Sequence, residues 1–349
     1  MDTLKTADSS LPAWLDDQIM TFCPGEPVDF VYTWVNNPPE FQKARARWLS
    51  ENKAKNFVPE ATNLQRFRDL DEIRHSLRSV EKFATWVRKI FIVTNGQVPE
   101  GINFTNPAIQ LVTHAEIFPE GEYLPVFSNV PIEACLHRIP GLSRWFIYFN
   151  NDFFLGAPVQ IGDFLDEYQR PKVILSHPLA PKWQNANIFV LSTRRTIDFV
   201  NTYFGSKNPF YTVLHVPSLL NTQVLFCLEK IFTEQFEQMR RSPFRSATDF
   251  HLQTLYAHVL VASEKFRTEL WAYRDDNCEY ISLRDENFGL GLVRLIRTIV
   301  NLVRHRPKFL CLNDELGQEE TWRTHFQLSL VRWFYRVYYH KPSAFEKNR

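Results

Sequence analysis

The feature that most constrains the fold is the run Trp145-Phe146-Ile147-Tyr148-Phe149, which stops abruptly at Asn150-Asn151-Asp152. Large apolar residues without polar alternation predict a strand buried on both faces, as in a parallel sheet. A polar turn directly after such a strand sits at its carboxyl end, where open α/β sheets bind ligands. Val28 to Val35 (VDFVYTWV) repeats the pattern and ends at Asn36-Asn37-Pro38-Pro39.

From Leu70 the residues Leu70, Ile73, Leu77, Val80, Ala84 and Val87 recur at helical spacing, behind the acids Asp69, Asp71 and Glu72. This helix runs into a strand at Ile90 to Thr94 and the turn Asn95-Gly96, with another strand at Ile109 to Thr113. Such alternation predicts an α/β fold, a Rossmann-like, mostly parallel sheet flanked by helices. Further strands are predicted at Lys172 to Ser176 and Ile188 to Ser192. Helices are predicted at Pro131 to Ile139, Thr196 to Phe204, Thr222 to Met239 and Thr248 to Ala262. Strands thus come early and helices late. The expected organisation is an extension over 1–24 and one domain over 25–349, with an α/β core at 25–200 and a mainly helical carboxyl-terminal lobe at 201–349 closing the cleft.

Forty Lys and Arg against 39 Asp and Glu leave a formal charge of +1, which gives no reason to expect nucleic acid as a partner. Five widely spread cysteines without a CxxC pair point to a reducing compartment rather than a disulfide framework. Met1 to Phe22 reads as neither signal peptide nor anchor, and no apolar run reaches the roughly 20 residues that span a bilayer. A cytoplasmic protein is expected. The 30 Phe either fill the core or offer stacking faces to a base or sugar.

Several segments together resemble a known family. VDFVYTWVNN at Val28 to Asn37, RFRDLDEIRHSLRSVEKFATWVRKIFIVTNGQVP at Arg66 to Pro99, and FSNVPIEACLHRIPGLSRWFIYFNNDFFLG at Phe127 to Gly156 are similar to the first two conserved regions of the Stealth family of sugar-1-phosphate transferases. HVPSLLN at His215 to Asn221 with FRSATDF at Phe244 to Phe250 resembles the third region, and KFLCLND at Lys308 to Asp314 the fourth. The resemblance implies transfer of a sugar with its proximal phosphate from a UDP-sugar donor to a hydroxyl of a glycan acceptor, with release of UMP, in capsule or exopolysaccharide synthesis. Attack then falls on phosphorus. The catalytic demand is to position an alcohol in line and to neutralise charge on a diphosphate.

By the same resemblance the catalytic residues are Glu133, Asp152, His215 and Arg245. Asp152 either holds a divalent cation, Mg²⁺ or Mn²⁺, or accepts the acceptor's proton, and Asp314 is the expected second metal ligand. Arg245 offers a planar donor fork for phosphate oxygens. His215 acts as base or as a phosphate-binding cation, and Glu133 orients His215, binds the metal or holds a sugar hydroxyl.

For donor binding, the strand end Tyr32 to Asn36 is expected against the nucleotide through Thr33, Trp34 and Asn36. Trp34 either stacks there or packs in the core. Arg66, Arg68, Arg74 and Arg78 cluster around a helix start that itself favours an anion, or else decorate a solvated face. Asn95 and Gly96 supply backbone amides to the donor or only a tight turn, and Asn150 and Asn151 line the same edge. Two positions depart from the family pattern. One of its paired acids is Asn151, and Leu70 stands where the family has Asn, which puts metal affinity and donor identity in question.

Leu290 to Arg306 sets Leu292, Leu295, Ile296, Ile299, Leu302 and Val303 on one side, with Arg294, Arg297, Arg304 and Arg306 around them. This is either a core-packed helix with a charged outer face or a basic amphipathic helix resting on the inner face of a membrane. The run Leu328 to Tyr339 is aromatic.

Overall fold

The computed structural model describes residues 17–52, 59–62, 64–176, 187–271, 277–283, 288–316 and 321–347. Its main sheet has the strand order β3 (Ile109–Thr113), β2 (Ile90–Thr94), β1 (Val28–Thr33), β4 (Trp145–Asn150) and β7 (Ser218–Asn221). The first four are parallel and β7 is antiparallel to β4. The chain winds outward from β1 to β3 and then returns to the other side of β1. A topological switch point therefore lies between β1 and β4.

The long apolar runs behave as read, because β1, β2 and nearly all of β4 are buried. Alternation sorts their side chains onto two faces. Val31, Phe146 and Tyr148 join the core cluster that includes Val130 and Ala134, while Phe30, Tyr32, Ile147 and Phe149 join the one that includes Ile73, Leu77 and Val80. Tyr148 consequently faces helix α5 (Asn129–Glu133), whereas Tyr32 faces helix α3 (Glu72–Phe83) and bonds Ser76 at 2.8 Å.

A second sheet, β5 (Phe153–Leu155), β10 (Phe309–Asp314) and β9 (Cys278–Leu283), brings the carboxyl-terminal half beside β4. Strand β5 pairs antiparallel with β10, and its other edge is tied to α3, where Ser76 Oγ donates to the Phe153 carbonyl at 2.5 Å and Leu155 N donates to Ser79 Oγ at 2.9 Å. Helix α3 thus satisfies backbone groups that a bare edge would leave open. A two-stranded sheet joins β6 (Val173–Ser176) to β8 (Thr268–Trp271).

The remaining helices are α1 (Asp17–Met20), α2 (Pro39–Glu51), α4 (His114–Ile117), α6 (Ile188–Phe204), α7 (Thr222–Ile231), α8 (Thr233–Arg240), α9 (Leu252–Ala262), α10 (Phe288–His305) and α11 (Trp322–Tyr338). Several readings need correction. The helix predicted over Thr222 to Met239 is divided at Phe232 into α7 and α8, and the one predicted from Thr248 begins at Leu252. The predicted strand Ile188 to Ser192 is the first turn of α6, because Asn187 caps it by accepting from Val190 N at 3.0 Å and buried Ile188, Ser192, Thr196 and Val200 follow helical spacing against α9. The helix predicted over Pro131 to Ile139 begins earlier, at Asn129, and ends at Glu133, with a separate 3-10 turn at Leu136–Arg138. Besides its helices, the carboxyl half supplies β7 to the main sheet and β10 and β9 to the second.

Gly156 shows how closely the chain leaving β5 approaches the chain entering β10 in the second sheet. A Cβ there would lie 2.4 Å from the carbonyl oxygen of Pro307. Gly156→Ala should destabilise the protein by about 1–3 kcal/mol through forced backbone displacement. Gly162→Ala, where a Cβ meets nothing within 4 Å, is the control. Urea midpoints of the two variants check the difference, and equal midpoints would refute the close approach.

Candidate active site

Thr33 and Asn150 face each other across the carboxyl ends of β1 and β4, at the switch point. Between them stands the Tyr148 hydroxyl, 2.9 Å from Thr33 Oγ1, 2.8 Å from Asn150 Oδ1 and 3.2 Å from Glu133 Oε1. With a single proton, Tyr148 donates to one acceptor at a time. Glu133 reaches it because α5 starts where Ser128 accepts from Val130 N at 3.3 Å, and Pro131 in the first turn suits that start.

Asn129 and Glu133 lie four apart on one face of α5, and the Asn129 amide donates to the Glu133 carboxylate. Its oxygen accepts from Arg245 Nη2 at 2.7 Å and Nε at 3.1 Å. The two segments are clamped by the bond from Phe127 N to the Pro243 carbonyl, 2.8 Å, and by stacking of Phe127 on Phe244 with centroids 5.0 Å apart. Here the phenylalanines serve packing, as Phe41, Phe67, Phe127 and Phe244 share one core cluster. Burial pushes the Glu133 carboxyl above its ordinary range, while Arg245 and hydrogen bonds from Gln253, Tyr148 and Asn129 hold it down. The result is a continuous polar chain, Arg245–Asn129–Glu133–Tyr148–Asn150.

A second group forms two residues further on. Asp152 occupies the turn between β4 and β5, and its carbonyl accepts from Leu312 N at 3.2 Å, which seats β10 beneath it. Cys311 Sγ lies 3.4 Å and His215 Nε2 3.8 Å from Asp152 Oδ2. The three ligand-type atoms lie within 4.8 Å of one another. The His215 ring stands edge-on to Phe153 and Tyr280, with centroids 4.7 and 5.8 Å away. Burial, and then the Asp152 charge, hold the Cys311 thiol well above its ordinary range. An oxygen, an imidazole nitrogen and a sulfur together are a donor set for a borderline cation such as Zn²⁺, whereas Mg²⁺ and Mn²⁺, which prefer oxygen, would rest on the Asp152 carboxylate.

All four catalytic residues expected from sequence therefore attach to the stretch Tyr148 to Asp152, as the pairs Glu133 with Arg245 and Asp152 with His215. The expected metal partner Asp314 is engaged elsewhere. Its carboxylate accepts from Arg68 Nη1 at 2.6 Å and from Leu316 N at 3.0 Å.

The expected arginine cluster is redistributed in the same way. Arg74 pairs with Asp71, and Arg78 donates to Glu346 through Nε and Nη2 at 2.7 Å and to the Tyr339 carbonyl at 2.8 Å, fastening the carboxyl-terminal segment. Carboxylates ring the start of α3, where Glu72 accepts from Leu70 N at 2.6 Å and Asp69 from Asp71 N at 2.9 Å. That is no cradle for a diphosphate. Arg66, on the preceding 3-10 turn, is half-buried.

At the end of β1, Trp34 belongs to the core cluster, with its indole N–H buried and lacking a protein acceptor. Asn36 docks its backbone on the Gln97 side chain at 2.9 and 3.1 Å. Asn95-Gly96 is a tight turn with Gly96 at φ +99°, in which Gly96 N donates to Thr94 Oγ1 and Gln97 N to Asn95 Oδ1. Asn151 is half-buried beside Asp152.

Sequence reading missed Tyr148, Asn129, Gln253 and Cys311, and it offered Asp249 only as a candidate ion-pair partner of Arg245. Asp249 supports the Arg245 loop by accepting from Ser246 N at 2.7 Å and Ser242 Oγ at 2.6 Å. Burial raises its carboxyl to about 6, above the unfolded value of about 3.9. The folded chain then holds a proton that the unfolded chain releases, so stability falls as pH rises from about 4 to about 6. Asp249→Asn should flatten that part of the curve, checked by urea midpoints across the range. An unchanged slope would rule the residue out.

Three family models match the chain: Stealth protein conserved region 2 over residues 66–173, region 3 over 214–262 and region 4 over 301–349. A capsular polysaccharide phosphotransferase of Haemophilus influenzae is 30% identical over 295 residues, covering 82% of this chain and 78% of that protein. An exopolysaccharide phosphotransferase of Streptomyces coelicolor is 31% identical over 327 residues, covering 92% of this chain and 52% of that protein. The chain thus spans about half the length of the Streptomyces relative. Among solved structures, a galactosyltransferase complex with donor and acceptor sugar analogues shows 10% identity and a TM-score of 0.40, over 88% of this chain and 95% of that one. A likeness that slight carries no argument about activity.

Proposed function

Because the chain belongs to the Stealth family, we propose that it transfers a sugar-1-phosphate from a UDP-sugar to a hydroxyl of an acceptor glycan, releasing UMP, in capsule or exopolysaccharide synthesis. The observation that carries this reading is the placement of an Asp152–His215 pair and an Arg245–Glu133 pair along one stretch of chain at the switch point. One pair suits deprotonation of an alcohol. The other places a guanidinium where phosphate charge needs a partner.

The acceptor oxygen attacks the phosphorus next to the sugar, forming a new P–O bond. The bridging P–O bond to UMP breaks, and its electron pair leaves on the UMP phosphate. The acceptor proton passes to His215 Nε2 or to the Asp152 carboxylate, whose mutual contact lets either hold it. Arg245 directs its fork at the equatorial oxygens of the transferring group. Glu133 and Asn129 hold that fork in place, and Thr33 and Asn150 face the donor through the Tyr148 network. A divalent cation, Mn²⁺ or Mg²⁺, would be held through the Asp152 carboxylate with His215 beside it, leaving the Cys311 sulfur out, and it would supply charge neutralisation on the diphosphate. No helix among the described residues is long and apolar enough to cross a membrane, and our reading places the reaction in the cytoplasm at the inner face of the membrane.

The test is product analysis with a UDP-sugar and a glycan acceptor. UMP and a phosphodiester in the product are expected. Release of UDP would instead make the protein a metal-dependent glycosyltransferase, and binding without turnover would make it a weakly active glycan-binding relative.

A further inference from the structure

Helices α10 and α11 pack against each other and share one core cluster through Ile299, Leu302, Leu328, Val331 and Phe334. Each also carries apolar side chains that this core does not cover. On α10, Val293, Ile296, Val300 and Val303 are 41–62% exposed, and on α11 Trp322, Phe326, Trp333 and Val337 are 47–67% exposed. At 100° per residue both sets form longitudinal stripes. The α11 stripe lies nearly opposite the buried Val331 and Tyr335.

Surface helices with their apolar side buried ordinarily present polar residues outward, so two neighbouring outward stripes need an occupant. The charge pattern identifies it. Neither helix contains a single Asp or Glu over its whole length, while Arg297, Arg304 and His305 on α10 and His325, Arg332 and Arg336 on α11 are exposed. On α11 the basic side chains flank the stripe at Arg332 and Arg336, the arrangement of a helix lying in a bilayer interface with cations at headgroup level. A partner protein would equally accept the apolar stripes, but it would not require the complete exclusion of carboxylates from 35 helical residues. An anionic bilayer does.

We propose that the outer faces of α10 and α11 form a docking surface for an anionic lipid bilayer, with Trp322, Phe326, Trp333 and Val337 entering the acyl boundary and the flanking arginines meeting lipid phosphates. This goes beyond the sequence reading of α10 alone, because the larger aromatic stripe belongs to α11. It stands independently of the transfer chemistry, since none of these residues belongs to the Asp152 or Glu133 groups.

The experiment is flotation of the full chain with phosphatidylcholine vesicles and with vesicles containing about one third phosphatidylglycerol. Each basic side chain at an anionic surface contributes roughly fivefold to partitioning. Arg297→Glu with Arg336→Glu should therefore lower binding to anionic vesicles more than tenfold, and raised salt should do the same to the unaltered chain. Trp322→Ser with Trp333→Ser should lower it comparably, with urea midpoints of both variants near the parent value because the sites are exposed. Absence of binding to anionic vesicles, equal binding to neutral ones, or undiminished binding by either variant overturns the proposal. So does a parent chain that sediments as a dimer, ignores vesicles, and becomes monomeric in the tryptophan variant, which assigns the stripes to a second copy.

Discussion

Asp152→Ala should reduce transfer by roughly three to four orders of magnitude while leaving the urea midpoint close to the parent. The expectation combines the upper range for loss of a proton-transfer group with loss of the oxygen that faces both His215 and Cys311. Its side chain is only half-buried and its backbone carbonyl still receives Leu312 N, so the turn survives the truncation. Asp152→Asn separates the two roles. If the carboxylate holds a cation, excess Mn²⁺ recovers part of the Asn variant's rate. If it takes the proton, added metal does nothing. Near-normal turnover by the Ala variant would remove Asp152 from the mechanism and leave His215 as the base to be tested next, through His215→Ala.

The parts of this arrangement that were legible in sequence are those written as contiguous pattern. Trp145 to Phe149 predicted a strand buried on both faces because both faces are covered, and its polar ending marked the site edge because the chain leaves the sheet there. The parts that were not legible depend on meetings between distant segments. Tyr148 reads as one more aromatic in that run, and only the pleat direction and the position of α5 make its hydroxyl the junction of Thr33, Glu133 and Asn150. Cys311 reads as core in β10, and its place beside Asp152 follows from the β5–β10 register, in which Cys311 pairs with Phe153. The arginines near α3 misled for a related reason. Sequence shows the cations, but the carboxylates that claim Arg68 and Arg78 lie about 250 residues away, at Asp314 and Glu346. Ile188 to Ser192 failed because β-branched residues favour strands only until a cap and a packed neighbour decide otherwise, and Asn187 and α9 decide here.

Arg245→Lys should cost roughly two to three orders of magnitude in kcat, the penalty for removing one preorganised donor to developing charge, even though net charge is conserved. The Asn129 amide oxygen accepts from Nε and Nη2 of the same guanidinium, and this two-point hold aims the rest of the fork. A lysine ammonium reproduces the charge but not the plane. The loss should fall on kcat more than on KM if the fork engages charge that grows in the transition state. Arg245→Ala carries a second signature. Glu133 is buried, and the Arg245 charge is the first influence opposing the upward push of burial on its carboxyl, so removing that charge must raise it further. The alanine variant should therefore show its rate limb shifted to higher pH, while the lysine variant, which keeps a cation nearby, shifts less. A lysine variant within threefold of the parent, or identical pH profiles for the two substitutions, would show that Arg245 braces Asn129 and the Phe244 loop without meeting the phosphate.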